Sequence, residues 1–243
     1  MLSLVCSLAL ATGASAQIPQ TFKNLQVLPK DIPRAELIST MRGIAGSLGV
    51  RCTHCHVGPD NLQGMDFATD EKDTKQTART MLKMVRSINA DYLKTLPDSG
   101  TPRREVTCLT CHRRESKPPR PLHDVLLAEI TARGVPSAIE LYKKLRAETM
   151  EAGLYDFREP ALNILAMMLR DTKRLDEAVE ILKLNVVMFP KSVNVHLTLG
   201  DGALQKGDLA VAEAAFQRAL ELEPGNAFAT KSLAAIKAKR QAP

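Results

Sequence analysis

Apolar residues recur every three or four positions along two stretches in the first half of the chain, the spacing of an amphipathic helix. The first stripe is Leu37, Met41, Ile44 and Leu48. It predicts a helix over residues 34–48, which Gly49 is expected to end. The second stripe is Ala78, Met81, Val85, Ile88 and Tyr92. It predicts a helix over residues 74–95, so each helix has an apolar face that needs a cover.

The second half of the chain repeats its pattern every 34 residues. Ala178, Leu182 and Pro190 recur as Ala212, Phe216 and Pro224. Small residues where two helices cross, a large apolar residue in the groove and a closing proline are typical of tetratricopeptide (TPR) repeats. An earlier degenerate unit carries Ala138 and Tyr142, and residues 227–239 predict a closing helix. This half is therefore predicted to be a TPR-type α-solenoid.

Length and composition agree with two helix-rich domains. The 243 residues contain no tryptophan and only 4% aromatic residues. Residues 115–121 read Glu-Ser-Lys-Pro-Pro-Arg-Pro, a proline-stiffened linker. We therefore predict a first domain at 17–118 and a helical repeat domain at 119–243.

The first sixteen residues have the pattern of a signal peptide. An apolar run over residues 2–11 precedes Ala14-Ser15-Ala16, an A-x-A cleavage site. The run is too short to span a bilayer. Cys6 lies within it, but Val5 is a poor residue before a lipidated cysteine, which disfavours a lipoprotein signal. The pattern predicts export, to the periplasm or the extracellular space.

Two Cys-x-x-Cys-His motifs carry the candidate chemistry, at residues 52–56 and 108–112. This spacing is the attachment motif of a c-type haem, in which both thiols bond the macrocycle and the histidine becomes the proximal iron ligand. Zinc sites built from two such cysteine pairs usually separate them by ~15–20 residues, whereas 52 residues separate Cys55 from Cys108. Disulfides would not require a histidine after each pair. The motifs predict two covalently attached haem c groups, held by Cys52, Cys55, Cys108 and Cys111, with His56 and His112 as proximal ligands.

Methionines on the two helices are candidates for the opposite iron ligand. Met41 lies in the middle of the first apolar stripe, where its thioether could ligate iron or only pack. Met81 and Met84 both lie on the apolar side of the second helix, and spacing alone does not choose between them. His54 and His123 are competing ligands, and their ordinary alternative is a solvated side chain.

The runs 41–52 and 81–92, with Val106-Thr107 before Cys108, resemble the cytochrome c subunit family of photosynthetic reaction centres. That family is a periplasmic tetrahaem protein of helix–turn–haem units, with a helix methionine as distal ligand of most haems. The resemblance implies Met41, eleven residues before Cys52, and Met81 rather than Met84. The chain has two of the four motifs, and Thr95 stands where the family has a haem-ligating histidine. The resemblance thus implies a dihaem helix–turn–haem domain of that fold type.

The net charge of the first domain and the expected ligands of the iron both limit the functions that the chain could have. Residues 1–118 contain 16 Lys and Arg against 11 Asp and Glu, and haem propionates would offset that excess, so no nucleic-acid partner is inferred. Iron with two axial ligands has no open position, which favours an electron carrier over an enzyme. A peroxidase-like enzyme with one open haem and a self-associating multihaem scaffold are the alternatives. Redox proteins, and a protein docked on the TPR domain, are the expected partners.

Overall fold

The computed structural model describes residues 18–97, 100–102 and 105–241. Over these residues the protein is mainly helical and has no strand, only an isolated antiparallel bridge between Val57 and Asp66. The predicted mainly α class is confirmed. No helix in these ranges is long and apolar enough to cross a membrane. The predicted signal peptide, residues 1–16, lies outside the described residues. The chain divides into two compact units between Pro119 and Arg120.

The first unit contains three α-helices in its described part. They are α1 (Arg34–Leu48), α2 (Asp73–Ser87) and α3 (Cys108–His112), with 3₁₀ turns at Cys52–His54 and Leu93–Thr95 and a π turn at Ile88–Tyr92. Gly49 ends α1 with φ +64°, and Val50 donates to the Ala45 carbonyl, as in a glycine C-cap. The predicted helix 74–95 is only partly right, because regular α-helix stops at Ser87. The wider π turn carries Asn89, whose side chain bonds the Val106 backbone.

The first unit buries very few apolar side chains. Among the described residues, Ile32, Leu37 and Met65 are its only buried hydrophobic residues. Every other buried hydrophobic residue belongs to the second unit. A unit of about 100 residues usually needs a larger core to hold together. The described part of the first unit therefore buries too few apolar side chains to form a core of the usual size.

The second unit contains seven helices in its described part. They are α4 (Leu122–Arg133), α5 (Val135–Thr149), α6 (Glu159–Asp171), α7 (Leu175–Met188), α8 (Val193–Lys206), α9 (Leu209–Leu222) and α10 (Ala227–Gln241). Consecutive helices pack as antiparallel hairpins over one continuous apolar core. The period of 34 residues relates the α6–α7 hairpin to the α8–α9 hairpin. The predicted TPR-type α-solenoid is confirmed.

Small residues allow the close helix crossings that the repeat pattern predicts. A Cβ atom on Gly200 of α8 would lie 2.7 Å from the Phe216 ring of α9. A Cβ atom on Gly202 would lie 2.7 Å from the Leu182 side chain of α7. Both distances are below van der Waals contact, so glycine is the residue that fits at each crossing.

Candidate functional site

The first Cys-x-x-Cys-His motif folds as a tight 3₁₀ turn directly after α1. The amides of Cys55 and His56 both donate to the Cys52 carbonyl, at 3.2 and 3.0 Å. Both thiols are free: that of Cys52 is exposed and that of Cys55 is partly buried. Burial raises the pKa of the Cys55 thiol, against an opposing hydrogen bond from Thr74. Both cysteines are therefore available to bond a group that is bound in the cavity beside them.

A cavity of about 730 Å³ adjoins this motif. Met41, Cys52, Cys55 and His56 all line it. The rest of the first predicted stripe, Leu37, Ile44 and Leu48, lines it as well, together with Phe22 and Leu25 of the N-terminal arm. Small-molecule and cofactor pockets measure ~300–1,000 Å³ and are mostly apolar with a few polar groups. The structure thus brings Met41 and the first motif to one cavity of cofactor size.

The surroundings of His56 suit a histidine that ligates the metal ion of a bound cofactor. Its Nδ1 atom is buried without a hydrogen-bond partner of good geometry. The Phe67 ring packs edge-on against the imidazole, with 5.1 Å between ring centroids. Burial, and then the charge of Lys75, lower the pKa of His56, and the nearby Phe67 carbonyl offsets part of the shift. The imidazole is therefore held neutral, the form that ligates a metal ion.

Lys75 and Asp70 tie the wall of the cavity together. The Lys75 ammonium donates to the carbonyls of Phe67, Ala68 and Thr69, at 2.9, 3.1 and 2.7 Å. Asp70 accepts from Arg79 and Asn24, both at 2.8 Å. These two bonds hold the pKa of Asp70 far below its usual range. Because Asn24 belongs to the arm and Arg79 to α2, the arm is fixed against α2 as one wall of the cavity.

The second motif forms the short helix α3. The Thr107 side chain and backbone bond Thr110 reciprocally and cap its start. The Nδ1 atom of His112 lies 2.9 Å from the Glu115 carbonyl oxygen. A hydrogen bond at Nδ1 fixes the tautomer and leaves Nε2 free to bind a metal. Cys108 is partly buried and Cys111 is exposed, and both are free thiols.

Asn89, in the π turn that follows α2, bonds the segment that leads into α3. Its side-chain nitrogen donates to the Val106 carbonyl at 2.8 Å, and its side-chain oxygen accepts from the Val106 amide at 2.8 Å. This pair of bonds fixes the chain two residues before Cys108. The methionine helix and the second motif are thereby joined through one side chain.

The apolar face of α2 was predicted to be buried, but several of its side chains are exposed to solvent. Met81 and Met84 are 39% and 45% exposed, and Tyr92 is 66% exposed. All exposed large hydrophobic residues in the described part of this unit fall between Met81 and Leu109. An apolar surface of this kind normally has a partner. The similar exposure of the two methionines does not choose between them.

The competing ligands lie elsewhere. His54 ends the 3₁₀ turn, and its carbonyl accepts from Thr74. His123 lies in the first turn of α4, and its Nε2 atom is 3.7 Å from a side-chain oxygen of Asp124. In the ranges that the structure describes, no three His, Cys, Asp or Glu side chains converge on a bare metal site. The zinc alternative therefore gains no support.

The residues present fit a c-type haem. Two free thiols, a half-buried imidazole and a thioether line an apolar cavity, and these are groups that can attach and ligate a c-type haem. At the second motif the free thiols and the His112 tautomer fit the same group. Lys75, Phe67, Asn89 and Glu115 contribute to these sites and were missed by the sequence analysis. Lys75 and Asn89 bond backbone atoms, Glu115 offers its own carbonyl, and Phe67 packs its ring on His56, and residue spacing gives no signal for any of these contacts.

Known families match both halves of the chain. Residues 5–126, half of the chain, match the family described as photosynthetic reaction centre cytochrome C subunit. Residues 193–226 match the tetratricopeptide repeat family. The predicted resemblance and repeat are confirmed.

Two curated relatives are cytochromes. The photosynthetic reaction center cytochrome c subunit of Thermochromatium tepidum is 32% identical over 46% of this chain and 25% of its own length. Cytochrome c-554 of Chloroflexus aurantiacus is 39% identical over 40% of this chain and 21% of its own length. The chain thus spans about a quarter of the length of these relatives.

Solved TPR structures align with about half of the chain. The first TPR of Spaghetti (RPAP3), bound to an HSP90 peptide, is 20% identical, with 50% of this chain and 91% of that chain covered and a TM-score of 0.35. The Sgt2 TPR domain from Aspergillus fumigatus is 23% identical, with 51% and 82% covered and a TM-score of 0.34.

Replacing Gly49 with alanine should weaken the first unit. Gly49 has φ +64°, and a Cβ atom there would lie 2.0 Å from the Arg114 carbonyl oxygen, next to the bond from the Arg114 amide to Ser47. The strained backbone alone is worth about 1–3 kcal/mol, and the clash is with backbone that must move. We expect Gly49→Ala to lower the free energy of unfolding by more than about 2 kcal/mol, measured by denaturant unfolding of the full chain.

Gly46→Ala is the matched control. Gly46 lies inside α1, and nothing lies within 4 Å of a Cβ atom there. Alanine in a helix interior is favoured over glycine by about 0.5–1 kcal/mol. Equal effects of the two substitutions would contradict the close approach of α1 to the second motif.

Proposed function

Because the chain belongs to the photosynthetic reaction centre cytochrome c subunit family, we propose that it is an exported dihaem c-type cytochrome that transfers electrons between redox proteins. One observation carries the proposal. Met41, Cys52, Cys55 and His56 line a single apolar cavity in a unit that has almost no core of its own.

At the first site each residue has a distinct role. Cys52 and Cys55 would bond the macrocycle through thioethers, and His56 and Met41 of α1 would ligate the iron. The α1 stripe and the N-terminal arm line the cavity and would surround the bound group. When bound, haem c supplies one-electron redox chemistry, and these side chains hold it in place and close its coordination.

At the second site Cys108 and Cys111 would form the thioethers, and His112 would ligate the iron. The Glu115 carbonyl orients the His112 imidazole. Met81 of α2 is the proposed second ligand, with Met84 as the alternative. A bound haem would add apolar area beside the exposed side chains between Met81 and Leu109.

The remaining parts of the proposal concern partners and location. A TPR solenoid presents a concave surface on which other proteins dock, and this role is proposed for the second unit on the strength of the repeat match. Covalent attachment of haem c takes place outside the cytoplasm in bacteria. The signal-peptide pattern of residues 1–16 and the two motifs therefore support the same periplasmic or extracellular location.

An optical redox titration of the purified secreted protein tests this function. We expect two one-electron steps and low-spin, six-coordinate spectra in both oxidation states, because two axial ligands close each iron. A high-spin component from one haem would instead favour the peroxidase-like enzyme. Association that grows with protein concentration would favour the multihaem scaffold.

Single substitutions of Met81 and Met84 should separate the two candidate ligands. Both side chains are exposed to a similar degree on α2, so either change removes a similar apolar area. We expect Met81→Ala to abolish the near-infrared thioether–iron band of the second haem, and Met84→Ala to retain it. The opposite result would assign the ligand to Met84, and retention of the band in both variants would exclude both methionines.

A further inference from the structure

A buried ammonium group stands at the wall of the first cavity. Lys75 is 8% exposed and lines the same cavity as Cys55 and His56. Its Nζ atom has three carbonyl acceptors, those of Phe67, Ala68 and Thr69, within 3.1 Å. A protonated lysine has three N–H donors and no acceptor. The three carbonyls therefore match the charged form.

The carboxylates nearby do not cancel this charge locally. Asp70 lies 3.3 Å from Lys75, but the same oxygen is 2.8 Å from Arg79, which also lines the cavity. Asp66 also lines the cavity, but it is exposed, and one of its oxygens accepts from the amides of Ala68 and Thr69. Lys75 is therefore a buried cation in the wall of the cavity that His56 lines.

Lys75 and His56 also both contact Phe67. The Phe67 carbonyl oxygen accepts from Lys75 at 2.9 Å, and the Phe67 ring packs edge-on against the His56 imidazole. Lys75 therefore fixes the backbone of the residue whose ring contacts His56.

We propose that Lys75 is a positioning residue that raises the reduction potential of the first haem. The inference rests on the proposed function and deepens it. One-electron reduction, by an electron from a redox partner protein, removes one unit of positive charge at the iron. A fixed cation near the site favours the less positive state.

Potentiometric titration of the full-length secreted protein tests the proposal, with the second haem as internal reference. Lys75→Met removes the charge and the donors, Lys75→Gln removes the charge and keeps two N–H donors, and Lys75→Arg retains the charge. The step that moves in Met41→Ala is assigned to the first haem. We expect the Met and Gln variants to lower its reduction equilibrium constant about tenfold, or about 59 mV for one electron, with the other step unchanged. Lys75→Arg should restore most of the potential.

Lys83→Met is the matched control, since it removes the same side chain from an exposed position on α2. It should leave the first step unchanged. The proposal is wrong if the Gln variant keeps the original potential, if both steps shift equally, or if Lys83→Met has the same effect. It is also wrong if every Lys75 variant loses the thioether–iron band of the first haem, because Lys75 would then only hold the loop. A wild-type chain without haem would instead contradict the proposed function.

Discussion

The described part of the first unit has only three buried hydrophobic residues, Ile32, Leu37 and Met65, although its helices carry two long apolar stripes. The α1 stripe lines a cavity, which Ala78 of the α2 stripe lines as well, while Met81 and Tyr92 of the α2 stripe are exposed. Burial of apolar area is the main favourable term in folding. We therefore expect a unit with so few buried apolar residues to depend on an added apolar group. Two haems bonded to the four cysteines would supply it.

Side chains that bond the backbone hold the unit in shape around these spaces. Arg34 donates to the carbonyls of Ile18 and Pro19, which fixes the arm to the start of α1. Lys75 donates to backbone carbonyls of the loop beside His56, and Asn89 bonds the Val106 backbone and so fixes the segment before Cys108. Each hydrogen bond of this kind contributes about 0.5–1.5 kcal/mol net. Together they orient the motifs but do not replace a core.

Residue spacing predicted the parts of the site that follow from periodicity. The stripe with Met41 and the motif ending in His56 meet at one cavity, as a helix followed at once by its attachment turn requires. Spacing could not choose between Met81 and Met84, because both lie on one side of α2 and have similar exposure. It also missed the π turn that carries Asn89, whose side chain bonds the backbone of Val106, 17 residues away. The second unit was more predictable, because its repeats bury a core made of protein alone.

The dependence of the first unit on attached haem is tested most directly by amide hydrogen exchange. The wild-type secreted chain is compared with a variant in which Cys52, Cys55, Cys108 and Cys111 are all serine. We expect residues 20–118 to be protected in the wild-type protein and to exchange freely in the variant, while residues 120–241 stay protected in both. Equal protection of residues 20–118 in the two proteins would contradict the account, because the unit would then fold without haem.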